Sequence, residues 1–323
     1  DGGVNYESID FENVHVDHHD LWINPEDSDH LINGNDGGVN MSYDGGKNWK
    51  KLNQPSVGQF YAINVDYSDP YNVYGGLQDN GVWMAKNTSK ENLRWHQTGH
   101  NNWKSIMGGD GMQIQIDRRD SNIIYTGSQF GFYYRINNNL GTRQFIKPKH
   151  DLGEKKLRFN WQTPILLSHH NQDILYLGSN KLHISLNKGD EWSFKSKDLT
   201  KGIKIGNVPY GTLTTIDESI FKFGKIIVGS DDGLVSLTTD GGNTWKVISN
   251  KLPKNLWVSR VGFSKHNENK IYVSLNGYRY DDFMGYVYVS DDDGVSWKSL
   301  TENLPLSPVN VIKEDPNFEN ILY

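Results

Sequence analysis

Short apolar stretches alternate with turn-rich polar segments along the whole chain, and many of those stretches alternate residue by residue as half-buried strands do. Leu182–Ile184, Leu234–Leu237 and Tyr286–Val289 are examples, each followed closely by Asn, Asp or Gly. No stretch sustains the i, i+3, i+4, i+7 spacing of an amphipathic helix for three turns, which excludes a helical solenoid. The pattern therefore predicts an all-β fold of many short strands.

The strands repeat. Four octapeptides share one form: Ser42-Tyr-Asp44-Gly-Gly-Lys-Asn-Trp49, Ser185-Leu-Asn187-Lys-Gly-Asp-Glu-Trp192, Thr238-Thr-Asp240-Gly-Gly-Asn-Thr-Trp245 and Ser290-Asp-Asp292-Asp-Gly-Val-Ser-Trp297. Upstream of each lies a second repeated strand ending in a small residue, as in Leu31–Gly34, Val73–Gly76, Ile124–Gly127, Leu175–Gly178, Ile227–Gly229 and Ile271–Ser274. Aligning these strands adds two degenerate units, one with Ala85 in the Ser position and Trp95 as its Trp, the other with Arg135 and Asn137 and no Trp. The first positions of the octapeptides are then 42, 85, 135, 185, 238 and 290. Four short strands with their turns fill such a period, which is that of a propeller blade.

The octapeptide suits the hairpin between the third and fourth strands of a blade. Its carboxylate can accept hydrogen bonds from the backbone N–H groups of its own turn, glycine supplies the positive φ values, and the Trp returns to pack between neighbouring sheets. Recurrence in every blade assigns Asp44, Asn187, Asp240 and Asp292, with Trp49, Trp192, Trp245 and Trp297, to architecture. Asp1–Ile9 aligns with Asp44–Leu52, and Asn320–Tyr323 aligns with Asp173–Tyr176. The expectation is one propeller over residues 1–323, with six complete repeats and a seventh blade split between the termini of an excerpt from a longer chain.

These residues resemble the BNR (Asp-box) repeat propellers. Within them, His15-Val-Asp-His-His-Asp20-Leu-Trp22, Gly34-Asn-Asp-Gly-Gly38, Gly58-Gln-Phe-Tyr61, Gly76-Leu-Gln-Asp-Asn-Gly81 and Gly108-Gly-Asp-Gly111 look like the sortilin-like "glycosyl hydrolase" proteins of exported bacterial type. The resemblance implies a secreted or cell-surface location and further domains on the same chain. The Asp-box is shared by sialidases, xyloglucanases and sortilin, so it indicates fold before function.

Composition narrows the classes. The 323 residues carry 39 acidic and 33 basic side chains, a formal charge of −6, and nucleic-acid binding would require a basic face that this balance does not suggest. With no cysteine, disulfides, thiolate metal sites and cysteine nucleophiles are excluded. No apolar run reaches the roughly 18 residues of a membrane-spanning helix. Phosphate-binding glycine loops and Ser/His/Asp triads are not found, and no cofactor is expected. The sequons Asn40-Met-Ser42 and Asn87-Thr-Ser89 are present, the first inside a strand.

In a propeller, first-strand starts and second-to-third-strand loops share one face, opposite the octapeptide hairpins. The first set contains His15, Asp17, His18, His19, Asp20, Gln59, Tyr61, Asp110, Trp161, Tyr210, Arg260 and Asn310. The loops add Asn35, Asp36, Gln78, Asp79, Asn80, Gln129, Asp231, Asp232, Asn276, Tyr278 and Arg279. Polar residues thus gather where a ligand would bind, with His15, His18, His19, Asp36, Gln78, Asp79, Asn80, Asp110 and Arg260 as the sharpest candidates. His15-x-x-His18-His19-Asp20 has metal-ligand types, but alternation points these imidazoles to opposite faces unless a bulge intervenes, so no metal site is assigned. Glycoside hydrolysis needs two carboxyls roughly 5–9.5 Å apart, and Asp20, Asp36, Asp79 and Asp110 are the candidates. Their neighbouring glycines equally suit turns. His169-His170 belongs to a solvated turn. The sequence thus favours a recognition module for carbohydrate or protein, with a glycoside hydrolase using axial carboxylates as the alternative. Exposed aromatics such as Tyr61, Trp103, Trp161 and Tyr278 around a groove would favour sugar contact. Two carboxyls facing each other, one with a raised pKa, would favour hydrolysis.

Overall fold

The computed structural model describes residues 2–10, 14–52, 58–90, 102–194, 196–204, 206 and 208–323. Among the described residues every strand falls in one of six four-stranded antiparallel sheets, each paired in chain order. The first is β1 (His18–Asn24), β2 (Asp27–Asn35), β3 (Gly38–Ser42) and β4 (Lys50–Leu52); the second is β5 (Phe60–Val65), β6 (Asn72–Leu77), β7 (Gly81–Lys86) and β8 (Lys104–Met107). The third is β9 (Gln115–Ile116), β10 (Ile123–Ser128), β11 (Phe132–Asn137) and β12 (Thr142–Phe145). The fourth is β13 (Ile165–Leu167), β14 (Leu175–Gly178), β15 (Leu182–Ser185) and β16 (Ser193–Phe194). The fifth is β17 (Leu213–Glu218), β18 (Ile226–Ser230), β19 (Val235–Thr238) and β20 (Lys246–Val247); the sixth is β21 (Trp257–Phe263), β22 (Ile271–Gly277), β23 (Asp282–Ser290) and β24 (Lys298–Ser299). Among the described residues the only helical pieces are two 3-10 turns. The sheets fall into two compact units, residues 1–111 with the first two and residues 112–323 with the other four.

Within the second unit, burial explains the strand sequences. The middle strands β14, β15, β18, β19 and β22 are buried at every position, because each sheet packs on both faces. Ile227, Val235 and Leu237 of the fifth sheet form one cluster with Val258, Ile271 and Val273 of the sixth. The fourth strands β20 and β24 are exposed and only two residues long. Beyond β24, Glu314 bridges antiparallel to Leu322, and Ile312, Val309 and Leu322 pack against Tyr272 and Val287 of the sixth sheet.

All four octapeptides join third to fourth strands and share one hydrogen-bond pattern. Ser290 Oγ donates to Asp292 Oδ1 at 2.8 Å and accepts Gly294 N at 2.8 Å, while Ser296 N donates to Asp292 Oδ1 at 2.8 Å. Ser42/Asp44/Gly46 and Thr238/Asp240/Gly242 do the same, and Asn187 replaces the carboxylate by accepting Glu191 N at 2.9 Å. Asp44, Asp240 and Asp292 are each held at a pKa of about 2 by the donors at the fourth residue beyond, Asn48, Thr244 and Ser296. The indoles seal onto the adjacent structure: Trp297 Nε1 donates to Ile248 O at 3.0 Å and Trp49 Nε1 to Ile9 O at 2.6 Å, while Trp245 packs against the cluster holding Ile184 and Leu199. Trp95 and Asp1 lie outside the described residues.

The turn at His169-His170 is a junction between sheets: His170 Nε2 bonds Ser219 O at 2.8 Å and His169 N donates to Glu218 Oε2 at 2.9 Å. Asn40 of the first sequon is fully buried in β3, so it offers no acceptor for a glycan.

Candidate functional site

In the first unit, turn chemistry brings three carboxylates together. Asp17 precedes β1, Asp36 sits in the β2–β3 turn and Asp79 in the β6–β7 turn. Each places a carboxylate oxygen within 4.8 Å of the other two. Asp36 N donates to Asp17 O at 3.2 Å, and Asn80 Nδ2 to Asp36 O at 3.4 Å. Asp79 takes the left-handed conformation, φ 58°, that short polar side chains tolerate, and its N–H donates to Asp110 Oδ1 at 3.0 Å. Gln78 is held by its backbone, N–H to Gln59 O at 3.1 Å.

The histidines do not converge. Between His18 and Asp20 the β1–β2 register shifts, a bulge that gives each ring its own partner. His15 Nε2 meets Asp79 O at 3.2 Å, His18 Nδ1 meets Asn33 Oδ1 at 3.1 Å, and His19 Nε2 contacts Asp36 Oδ1. Asp20, inside β1, accepts Leu21 N at 2.9 Å and is not one of the three grouped carboxylates.

The electrostatics split the pair. The hydrogen bond from His19 holds Asp36 below the usual carboxylate range. Burial pushes Asp79 up, reinforced by its hydrogen bond to Asp36 and by the charge of Asp110. A carboxyl whose pKa is raised beside one whose pKa is lowered is an arrangement acid–base chemistry uses. These two, however, touch through that hydrogen bond, whereas hydrolysis requires carboxyls standing roughly 5–9.5 Å apart across a bond. Asp17, Asp36 and Asp79 are also the oxygen donors that could hold a hard divalent cation.

In the second unit the same strand-start and loop positions build a cavity of about 240 Å³. Tyr210 precedes β17, Trp257 opens β21, Asp231 follows β18, and Asn276, Arg279 and Tyr280 come from the end of β22 and the 3-10 turn after it; Lys204 completes the wall. Asp231 clamps the Tyr210 loop by accepting Gly211 N and Thr212 N, each at 3.0 Å, and Thr212 Oγ1 at 2.6 Å. A Cβ on Gly211 would meet Gly202 O at 2.2 Å, which is why glycine stands there. Burial still pushes Asp231 up to about 6. The Arg279 guanidinium lies 4.1 Å from the Trp257 ring centroid and 4.5 Å from that of Tyr278, sandwiched between two π faces. The Lys204 ammonium stands 5.1 Å from the Tyr210 ring. Burial lowers the pKa of Arg260, whose Nε has no partner among the described residues; Arg260 does not line this cavity.

Tyr210, Asp231, Asn276 and Arg279 are legible from their loop positions; Lys204, Trp257 and Tyr280 are not. Trp257 carried a signal, because it is a large aromatic residue opening a first strand.

No protein-family model and no curated protein sequence matches the chain. Solved structures do. The GH74 xyloglucanase from Xanthomonas campestris superposes with a TM-score of 0.56 at 13% identity, over 94% of this chain and 49% of that enzyme. An ancestral GH74 enzyme gives 0.52 at 14% identity, over 89% of this chain and 44% of that one. The chain spans about half the length of these enzymes. At such identity the likeness establishes the fold, a β-propeller, and nothing of the chemistry. Among the described residues no helix is long and apolar enough to cross a membrane.

Proposed function

We propose that this chain is an exported or cell-surface recognition module that binds carbohydrate, built as a single propeller of BNR/Asp-box repeats across residues 1–323 and carried with further domains on a longer chain. The observation behind it is the cavity of the second unit, where Tyr210, Trp257 and Tyr280 surround Asp231, Asn276 and Arg279. Aromatic faces take the apolar face of a sugar ring, and the polar groups among them take its hydroxyls.

The raised carboxyl of Asp79 beside Asp36 supports a second reading, glycoside hydrolysis in the first unit, with Asp110 as the group that positions Asp79. The contact between Asp36 and Asp79 speaks against it, because neither can then flank a scissile bond. A polysaccharide panel scored for both binding and turnover separates the readings. Recognition predicts retention without turnover, lost in Trp257→Ala. Turnover that disappears in folded Asp36→Ala or Asp110→Ala replaces recognition by hydrolysis.

A further inference from the structure

Resting on that carbohydrate reading, we propose that the second-unit cavity selects an anionic sugar, a uronate residue whose carboxylate is taken by Arg279 and Lys204.

The charge pattern carries the inference. The chain has a formal charge of −6, yet this cavity presents two cations, and neither makes an ion pair among the described residues. Arg279 is held by Trp257 and Tyr278 through its π faces, which leaves its in-plane N–H donors without a carboxylate partner. The carboxylate that shares the cavity, Asp231, is engaged by Gly211 and Thr212 and is thereby committed to the loop. A fixed guanidinium fork without a partner is matched by a planar anion.

An independent observation points to a hydroxyl-bearing ligand. Asn276 is only 3% exposed; its Nδ2 donates to Asn310 Oδ1 at 2.8 Å, while its Oδ1 has no donor among the described residues. A buried acceptor of this kind is costly unless something donates to it, and because Asn276 lines the cavity a small turn of its amide on ligand entry would offer Oδ1 to a sugar hydroxyl. The volume, about 240 Å³, lies below the usual range of roughly 300–1,000 Å³ for small-molecule pockets and suits a single sugar residue with its chain running out of the mouth.

The test is calorimetric titration of the full chain with oligomers of galacturonate, glucuronate and mannuronate, each beside its carboxyl-reduced neutral counterpart. We expect at least one uronate oligomer to bind about tenfold tighter than its neutral form. In Arg279→Gln/Lys204→Gln the ratio of uronate to neutral affinity falls to within about twofold, whatever neutral binding itself becomes, with thermal melting confirming that the variant is folded. Equal affinity for charged and neutral oligomers in the wild-type chain overturns the inference and leaves carbohydrate recognition standing. A peptide with a free C-terminal carboxylate that displaces the uronate without needing Asn276 overturns the saccharide assignment. If neither form of any oligomer binds, both this inference and the recognition reading fall.

Discussion

Ser168 and Glu218, fifty positions apart, are joined by a 2.6 Å hydrogen bond between the fourth sheet and the fifth. Glu218 is fully buried and also accepts His169 N at 2.9 Å and Tyr176 Oη at 2.8 Å. The same constellation recurs beyond the sixth sheet, where Glu314 accepts Ser264 Oγ at 2.7 Å, Lys265 N at 2.6 Å and Tyr272 Oη at 2.7 Å. Each carboxylate ties three donors of the preceding repeat to its own strand. Removing it strands buried donors, at about 1–3 kcal/mol each. Glu218→Ala should therefore cost about 3 kcal/mol or more and lower the melting temperature by roughly 10 °C. A double-mutant cycle with Ser168→Ala checks the coupling; additive losses would show that the pair does not act together.

The hairpin glycines should respond unequally. Gly241 has φ +72° and open space where a Cβ would go, so Gly241→Ala costs the left-handed backbone strain alone, about 1–2 kcal/mol. Gly294 has φ +80°, and its Cβ would lie 2.7 Å from Ile248 Cβ and Cδ1. Gly294→Ala adds overpacking of about 1–3 kcal/mol to the same strain. Gly46 on Ile9 and Gly189 on Ile146 repeat that seating. Denaturant midpoints of the two Ala variants that fail to separate would show that the hairpin does not press on its neighbour.

Those same glycines mark where the sequence was legible. A turn that needs Ser, Asp, Gly and Trp at fixed offsets writes its geometry into residue types, so four hairpins and the strands before them could be placed from one chain. The buried runs of β14 and β18 were legible as strands for the same reason: β-branched and aromatic residues bounded by turns. Contacts across about fifty residues write no such local signature. Glu218 reads as an ordinary acidic residue at a strand end, and Lys204 as one more surface cation. In the first unit the loop positions of Asp17, Asp36 and Asp79 were legible, but their meeting was not. The bulge between His18 and Asp20, which sends His19 to Asp36, depends on the β1–β2 register rather than on composition.

The hairpin aspartates should set an acid limit. Asp44, Asp240 and Asp292 titrate at about 2 in the folded chain, below the ~3.9 of an unfolded aspartate. Their folded pKa being depressed, the unfolded chain binds more protons over that interval. Their contribution is complete above about pH 4 and is lost as pH falls toward 2. Asp240→Asn should melt lower than wild type at pH 7, with the gap closing near pH 2. Carboxyl carbon chemical shifts that titrate near 4 for these three residues would contradict the assignment.

Between pH 4 and 6 two buried groups should oppose each other. Burial pulls His183 down to about 4; its Nε2 meets Ser179 Oγ at 2.8 Å. Above its folded pKa the native imidazole stays neutral while the unfolded one, near 6.5, still binds a proton, so this group makes stability rise with pH across the interval. Asp231 acts the other way. Its folded pKa of about 6 lies above the unfolded value, the native chain holds the extra proton, and stability falls as pH rises from about 4 to about 6. Each shift spans about two pH units, or about 3 kcal/mol, so the wild-type slope between these limits should be small. His183→Gln should leave a stability that declines with rising pH, and Asp231→Asn one that climbs. Urea midpoints measured at half-unit intervals from pH 4 to 6 decide it: if both variants keep the wild-type slope, neither group is titrating where its burial places it.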